Sequence, residues 1–251
     1  MKGAVIGHRS HRMAGSYMSP LAGGMRAAVA AFWLSMQKTA GSLNGSKSVL
    51  KPTTALSASM GDSFLGTRTT LTVLDTRNDK IIRQIKEVGE RGVFPYTVNS
   101  QNEIAYVCLG NHVGFDVVDL QSGEILHRVF AGAEPIPNRT HGAGLTPDEK
   151  ELWISHQDGR KLFIFDATKR PPRPKGHVDL SQGGHGWVCF SLDGQYAWSH
   201  TPDVFDARTK QLVATLKDEK GNSVSSSKFI EVHFRDGIVV AMGNEFGLGR
   251  K

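Results

Sequence analysis

Two histidines, each followed directly by a glycine, are the residues best suited to binding chemistry. His141 and His185 begin two similar segments, HGAGLTPDEKELWISHQ and HGWVCFSLDGQYAWSHT, and each is predicted to stand at the start of an innermost β-strand. A neutral imidazole is a common metal ligand, and a protonated one attracts anions. With Arg139 and Asp203 they form the candidate ligand-binding set, and the two histidines are the candidate metal ligands. The alternative is that both histidines cap strands and hydrogen-bond to the backbone.

Sequence motifs for catalysis are missing from the chain. It contains no Gly-x-Ser-x-Gly elbow, no P-loop and no His-Glu-x-x-His zinc motif. The acidic residues stand mostly in predicted turns, so no pair of carboxylates is indicated for acid–base work. The sequence therefore predicts no catalytic residue, favours a non-enzymatic role and identifies no cofactor.

A short motif occurs four times and shows which elements position these residues. It reads TVLDTRNDKII, DVVDLQSGEIL, FIFDATKRPPR and DVFDARTKQLV, around Asp75, Asp119, Asp166 and Asp206, with spacings of 44, 47 and 40 residues. Each copy has β-forming residues, then Asp, then a polar turn. We expect each Asp to accept backbone N–H bonds in an Asx-type turn. The Pro-rich stretch 170–175 of the third copy is predicted to be an extended linker.

A second motif alternates with the first and has a turn at 100–102, 147–149 and 192–194. An aromatic residue follows each turn, at Tyr106, Trp153 and Trp198, and is predicted to pack between repeats. A last copy begins at Lys228. Each unit of about 44 residues holds four short β-forming runs, which predicts a four-stranded antiparallel meander of the size of one propeller blade.

The predicted fold is therefore an all-β propeller with about four to five blades. Residues 51–251 form the predicted propeller domain, and residues 1–50 a poorly structured or signal-like segment. The last copy holds only two of the four strands. We expect either an open edge strand, with a tendency to aggregate or dimerise, or an edge completed by the N-terminal region.

The repeats resemble the YVTN-type repeats of the YncE-like propeller family. The matching segments are TLTVLDTRNDKIIRQI, HGAGLTPDEKELWI and GGHGWVCFSLDGQYAW, and the resemblance covers about residues 53–249. The wider group includes lactonase-type propellers, amine dehydrogenase heavy chains and the N-terminal domain of nitrous-oxide reductase. It implies seven blades, which would make this chain a truncated member. In the reductase relatives, histidines placed like His141 and His185 bind copper.

Three functional hypotheses follow from the repeats and from the resemblance. The favoured one is a non-catalytic binding scaffold that holds a small molecule or a protein at the mouth or rim of the propeller channel. The second is a propeller enzyme of the lactonase or dehydrogenase-subunit type, with a channel site lined by histidines. The third is an incomplete propeller fragment. Propellers host many functions, so the fold alone does not choose among them.

Composition excludes some classes of partner and leaves the compartment open. The formal charge is +6 over 251 residues, but Lys and Arg are scattered, which argues against nucleic-acid binding. No apolar run approaches the ~20 residues of a membrane-spanning helix. The longest, AAVAAFWL at 27–34, resembles a late signal sequence and slightly favours a periplasmic or secreted location over a cytoplasmic one. The two cysteines, Cys108 and Cys189, are predicted to be buried in non-adjacent blades.

Overall fold

A computed structural model confirms the all-β class. It describes residues 54–57, 62–66, 70–75, 78, 80–93, 95–156, 158–184, 186–225 and 230–244. The predictions for residues 1–50, and the placement of His185, lie outside the described residues. The part that is described contains eighteen strands and no helix. It follows that no helix within these ranges is long and apolar enough to cross a membrane.

The strands group into antiparallel sheets, which we number as blades in chain order. Blade 1 contains β1 (Thr54–Ser57), β2 (Asp62–Gly66), β3 (Thr70–Asp75) and β4 (Lys80–Lys86). Blade 2 contains β5 (Tyr96–Val98), β6 (Ile104–Cys108), β7 (Gly114–Asp119) and β8 (Ile125–Phe130). Blade 3 contains β9 (Thr140–Leu145), β10 (Glu151–His156), β11 (Lys161–Asp166) and β12 (Arg173–Asp179).

Blade 4 contains β13 (Cys189–Phe190), β14 (Tyr196–Trp198), β15 (Asp203–Asp206) and β16 (Leu212–Thr215). The last sheet, blade 5, contains β17 (Ile230–Arg235) and β18 (Ile238–Asn244). In blades 1 to 4 the strands pair in sequence order, each with the next. The predicted four-stranded meanders are therefore confirmed, as is the two-stranded last copy within the described residues.

The inner strands of blades 2 and 3 are apolar on both sides because each of these blades packs against two neighbours. All five residues of β6 are buried, and successive side chains of a strand point to opposite faces. Ala105 and Val107 join a core with blade 1, whereas Ile104, Tyr106 and Cys108 join a core with blade 3. The hydrophobic cores thus lie between blades rather than within them.

Blade 3 repeats the same arrangement with its own two neighbours. Leu152 and Ile154 of β10 pack toward blade 2, and Trp153 between them packs toward blade 4. The ring of Trp153 meets Phe190 edge to face, with 5.4 Å between ring centroids. Packing between blades is therefore confirmed for Tyr106 and Trp153, whereas Trp198 is only half-buried and belongs to none of these cores.

The aspartates of the first motif act mainly as turn residues. A carboxylate oxygen of Asp119 accepts from the N–H groups of Gln121 and Ser122, at 2.7 and 2.9 Å. Asp166 accepts from one backbone N–H and Asp206 from two in the same way. The predicted Asx turns are confirmed at these three positions. After Asp75, residues 76 and 77 lie outside the described residues, and the side-chain amide of Asn78 donates to the Asp75 carboxylate at 3.0 Å.

Each blade has two ends, which are defined here on blade 3. The upper end, where the first strand begins and the second strand ends, contains the paired residues Thr140, His156, Lys161 and Asp179. The lower end contains Leu145, Glu151, Asp166 and Arg173. The turn between the first two strands lies at the lower end, and the chain enters from the preceding blade at the upper end. The first strands β5, β9 and β13 lie side by side, with β9 in contact with both others.

Candidate functional site

His141 lies at the upper end of blade 3, at a β-bulge. Ser155 pairs with Gly142 and His156 pairs with Thr140, so His141 is the extra residue of β9. A bulge re-aims the side chain at that position. The Nδ1 atom of His141 is buried, although the residue as a whole is half-buried. The structure thus places a β-bulge at the first residue of the first His-Gly motif.

The neighbouring residue, Gly142, lies against the backbone that leads into blade 4. A Cβ atom built on Gly142 would lie 2.1 Å from the carbonyl oxygen of Gly186, so no larger residue fits. The hydroxyl of Ser155 donates to that same carbonyl oxygen at 3.0 Å. In the sequence, His141 and His185 each precede one member of this contact. The contact itself brings β9 close to the backbone that leads into blade 4.

Gly184 also contacts the upper end of blade 4. Gly184 has φ +137°, and a Cβ built there would lie 3.0 Å from the His200 ring. Its carbonyl oxygen accepts from the N–H of Asp158 at 3.0 Å. The sequence predicted that an innermost strand starts at His185. That prediction is wrong, since β13 starts at Cys189.

Two further histidines flank this region. His200 is 7% exposed, with Nδ1 3.1 Å from the hydroxyl of Ser199 and a buried Nε2 atom. His156 ends β10, and its ring lies 6.3 Å from the Phe163 ring. Burial lowers the pKa of His156 below its usual value; Asp158 opposes this shift and Lys161 adds to it. A neutral imidazole is the form that donates a lone pair to a metal.

The other two predicted ligand-binding residues lie at the upper ends of blades 3 and 4, Arg139 just before β9 and Asp203 as the first residue of β15. Arg139 is half-buried and directly precedes β9, and its own N–H donates to the Asn138 side chain at 2.8 Å. Asp203 is 3% exposed and accepts from the N–H of Ser181 at 2.8 Å. It thus fastens the connection that leads into its own blade. Whether these residues bind a ligand stays a prediction.

The closest counterpart of Asp203 is Asp116, which the sequence did not single out. Asp116 is fully buried, accepts from the N–H of Gly89 at 2.8 Å and is bound by the Arg128 guanidinium at 2.7 and 2.9 Å. It occupies the same place in DVVD as Asp203 does in DVFD. An alignment of the repeats would have pointed to Asp116.

The connection that Asp116 holds is conformationally unusual. Glu87, Gly89, Glu90 and Gly92 all have φ between 63° and 107°. Glu90 accepts from the N–H of Asn111 at 2.8 Å, and one of its carboxylate oxygens lies 2.7 Å from Nδ1 of His112. Such conformations persist where the surroundings over-determine them. The upper connections are therefore built as fixed loops.

A separate charged cluster lies at the lower end of blades 3 and 4. Glu151 binds Lys175 at 2.6 Å and Lys210 at 2.5 Å, and Nε1 of Trp153 donates to it at 2.9 Å. Burial raises the pKa of Glu151, but the hydrogen bonds from both lysines outweigh burial and hold it below its usual value. Lys175 belongs to β12, so the predicted linker at 170–175 is in part a strand. The sequence reasoning missed this cluster.

No group of three or more His, Cys, Asp or Glu residues suited to a metal occurs in the part of the chain that the structure describes. Because His185 is outside that part, the predicted metal site is not tested. Cys108 and Cys189 are buried in blades 2 and 4, as predicted. Burial raises the pKa of the Cys108 thiol far above its usual range, which keeps it protonated.

Comparison with solved structures supports the propeller fold. The chain is similar to hydrazine synthase of Kuenenia stuttgartiensis, a protein that contains a β-propeller, with a TM-score of 0.55 and 17% sequence identity. The match covers 68% of this chain and 51% of the other, so the chain spans about half the length of that structure. At this identity the likeness concerns the fold alone. No model of a known protein family matches the chain. No curated protein sequence matches it either.

Proposed function

We propose that the chain is a non-catalytic β-propeller scaffold that binds a small ligand at the upper ends of blades 3 and 4. The observation that carries the proposal is the approach of Gly142 to the carbonyl oxygen of Gly186. It brings together β9 of blade 3, at Gly142, and the backbone that leads into blade 4, at Gly186. Such a site takes residues from two blades, so neither blade could form it alone.

The residues around this contact define the class of ligand. His141, His156 and His200 supply imidazole groups, and Arg139 supplies a positive charge. This set suits a transition-metal ion or a small anionic molecule, because imidazole binds the former and guanidinium the latter. His185 is the residue from which we expect a further ligand atom.

The carboxylates at the upper ends of blades 2 and 4 support a scaffold rather than an enzyme. Asp116, Asp203 and Glu90 each accept a hydrogen bond from a loop N–H group. Carboxylates committed to holding loops are poorly placed to move protons to and from a substrate. The enzyme hypothesis and the fragment hypothesis stay predictions. An enzyme of the lactonase or dehydrogenase-subunit type would need turnover that depends on the same histidines.

Membership of the YncE-like family is part of the same proposal. It rests on the repeated segments TLTVLDTRNDKIIRQI and GGHGWVCFSLDGQYAW and on the four-stranded sheets that they form. The quinoprotein-like and bacterial character that this resemblance implies is proposed on the same ground. Copper at the predicted histidine pair would connect the chain to one branch of that group.

The test is native mass spectrometry of the whole chain as purified and after addition of Cu²⁺, Zn²⁺ or phosphate. We expect one bound ion or small molecule per chain, lost in His141→Ala and in His185→Ala. His127→Ala is the matched control, since His127 is exposed on the outermost strand β8. Equal binding by all three variants, or none by the wild type, would contradict the site.

A further inference from the structure

One position in the repeat, two residues after the aromatic of the second motif, holds a buried side chain in three blades. Its occupants are Cys108, Ser155 and His200. Their exposed fractions are 0%, 0% and 7%. Each carries a group that can form hydrogen bonds, and burial of such a group costs free energy unless it meets a partner. The contacts at this position therefore show what it does in the fold.

In blades 2 and 3 this position contacts the glycine of the His-Gly motif that follows in the chain. Burial raises the pKa of the Cys108 thiol, and hydrogen bonds with backbone groups, one of them in Gly142, oppose that shift. The hydroxyl of Ser155 donates to the carbonyl oxygen of Gly186 at 3.0 Å. The same contact thus occurs in two successive blades, which indicates a role in placing these glycines.

The connection from β12 to β13, which leads into blade 4, is bound from both blades. The N–H of Ser181 donates to Asp203 of blade 4 at 2.8 Å, and its carbonyl oxygen accepts from the Arg160 guanidinium of blade 3 at 2.6 Å. Further along, the His200 ring lies against Gly184, where a Cβ would approach it to 3.0 Å. These contacts show that the described part of the connection is held between blades 3 and 4.

Ser155 acts where the connection approaches blade 3 most closely on the page of contacts given above, at Gly142 and Gly186. It pairs with Gly142 across β9 and β10, and a Cβ on Gly142 would lie 2.1 Å from the carbonyl oxygen that the Ser155 hydroxyl binds. Gly186 is buried, so removal of the hydroxyl would leave this oxygen without that donor and away from water. An unsatisfied buried carbonyl is costly and favours displacement of its backbone toward water.

We propose that Ser155 is a positioning residue for the ligand site at the upper ends of blades 3 and 4, where its hydroxyl holds the Gly186 backbone against β9. The effect on ligand binding rests on the proposed function, whereas the effect on the backbone can be measured without a ligand. Ser155 acts through Gly186 and does not itself touch the ligand. Cys108 occupies the same position in blade 2, so cysteine is the substitute that the chain itself offers.

The first test is hydrogen exchange of the whole chain, followed by NMR without added ions. The amide of Asp158, which donates to the Gly184 carbonyl oxygen at 3.0 Å, reports the position of the connection. Ser155→Ala is expected to speed its exchange at least tenfold, and Ser155→Cys to keep it near the wild-type rate. Ser191→Ala is the matched control, since Ser191 is 5% exposed and its hydroxyl donates to Asp193 at the lower end of blade 4. Unchanged exchange in Ser155→Ala, or equal acceleration in Ser191→Ala, would overturn the proposal.

The second test is the affinity of the folded chain, measured by calorimetric titration with Cu²⁺, Zn²⁺ and phosphate. For each of these that binds the wild type, Ser155→Ala is expected to raise the dissociation constant at least tenfold and Ser191→Ala to leave it unchanged. A purely structural serine would lower the unfolding midpoint without changing this constant, and that result would refute the positioning role. A wild type that binds none of the three would refute the proposed function and with it the effect of Ser155 on binding. Hydrogen exchange at Asp158 would then decide by itself whether Ser155 holds the backbone.

Discussion

The hydrophobic cores between blades 2, 3 and 4, called seams below, contain the same kinds of residue as the β17–β18 hairpin. In the seams these residues are buried, whereas in the hairpin they are exposed to water. Phe115 in β7 is fully buried against Tyr106 and Phe165, with ring centroids 5.9 and 5.0 Å apart. Phe234 in β17 is 57% exposed. Apolar strands therefore do not by themselves make a stable blade. The free energy comes from the neighbouring blade that removes their side chains from water.

The largest expected difference is between two Phe→Ala substitutions. Phe115→Ala should lower the free energy of unfolding by about 3–5 kcal/mol, because it empties a packed seam. Phe234→Ala should change it by less than about 0.5 kcal/mol, because the side chain is mostly in water. Urea unfolding at low protein concentration, where association contributes little, measures both. Equal losses would remove the distinction between seam and hairpin.

A second, smaller difference is expected between buried and exposed aspartates. Asp116→Ala should cost about 3 kcal/mol, since it leaves the Gly89 N–H and the Arg128 guanidinium without their acceptor. Asp206→Ala removes turn bonds that are exposed to solvent and should therefore cost only a small fraction of that amount. Urea unfolding again gives both values. Faster hydrogen exchange at Gly89 in Asp116→Ala alone would locate the larger effect in the connection to blade 2.

The smallest expected effect is the contribution of His156 to the pH dependence of stability. Burial lowers the pKa of His156 below its usual 6.5, so the unfolded chain takes up this proton at a higher pH than the folded chain. Stability should therefore fall gently as pH drops below about 7 and level off below the folded pKa. His156→Gln should remove that slope, while His127→Gln, at an exposed histidine, should keep it. Unfolding midpoints from pH 8 to pH 5 provide the measurement.

The turn aspartates lose their contribution to stability at a lower pH than His156 does. The backbone N–H of Ser122 holds the pKa of Asp119 below its usual value, and that of Thr209 acts likewise on Asp206. Their stabilising effect is complete above the unfolded pKa near 4 and is lost as pH falls through the lower folded value. The gentle decline assigned to His156 should therefore be separated from a steeper loss below about pH 4.

The sequence predicted those features that repeat from blade to blade. Asp119, Asp166 and Asp206 form the expected turns because a short side chain beside a polar turn bonds to its own backbone. Tyr106 and Trp153 pack between blades because they recur at one place in an alternating strand. Local patterns determine such features, so a single sequence reveals them.

Features that depend on contacts between blades were harder to predict. The bulge at His141 and the late start of β13 follow from how the first strands pack, which no local motif encodes. The charged partners of Asp116 and Glu151 come from residues 12 to 59 positions away. Lys175 shows the same limit, since a Pro-rich stretch became part of β12 and supplied one partner of Glu151. Only the folded chain brings these groups together.

The placement of the cores between blades has a consequence for how such a chain can change in length. Because Val107 and Tyr106 of one strand serve two different seams, duplication of a blade in the gene adds one seam and leaves the two terminal faces as they were. Loss of an internal blade removes one seam and joins two surfaces of the same kind. Chains with different numbers of repeats can therefore descend from one ancestor without any new packing solution.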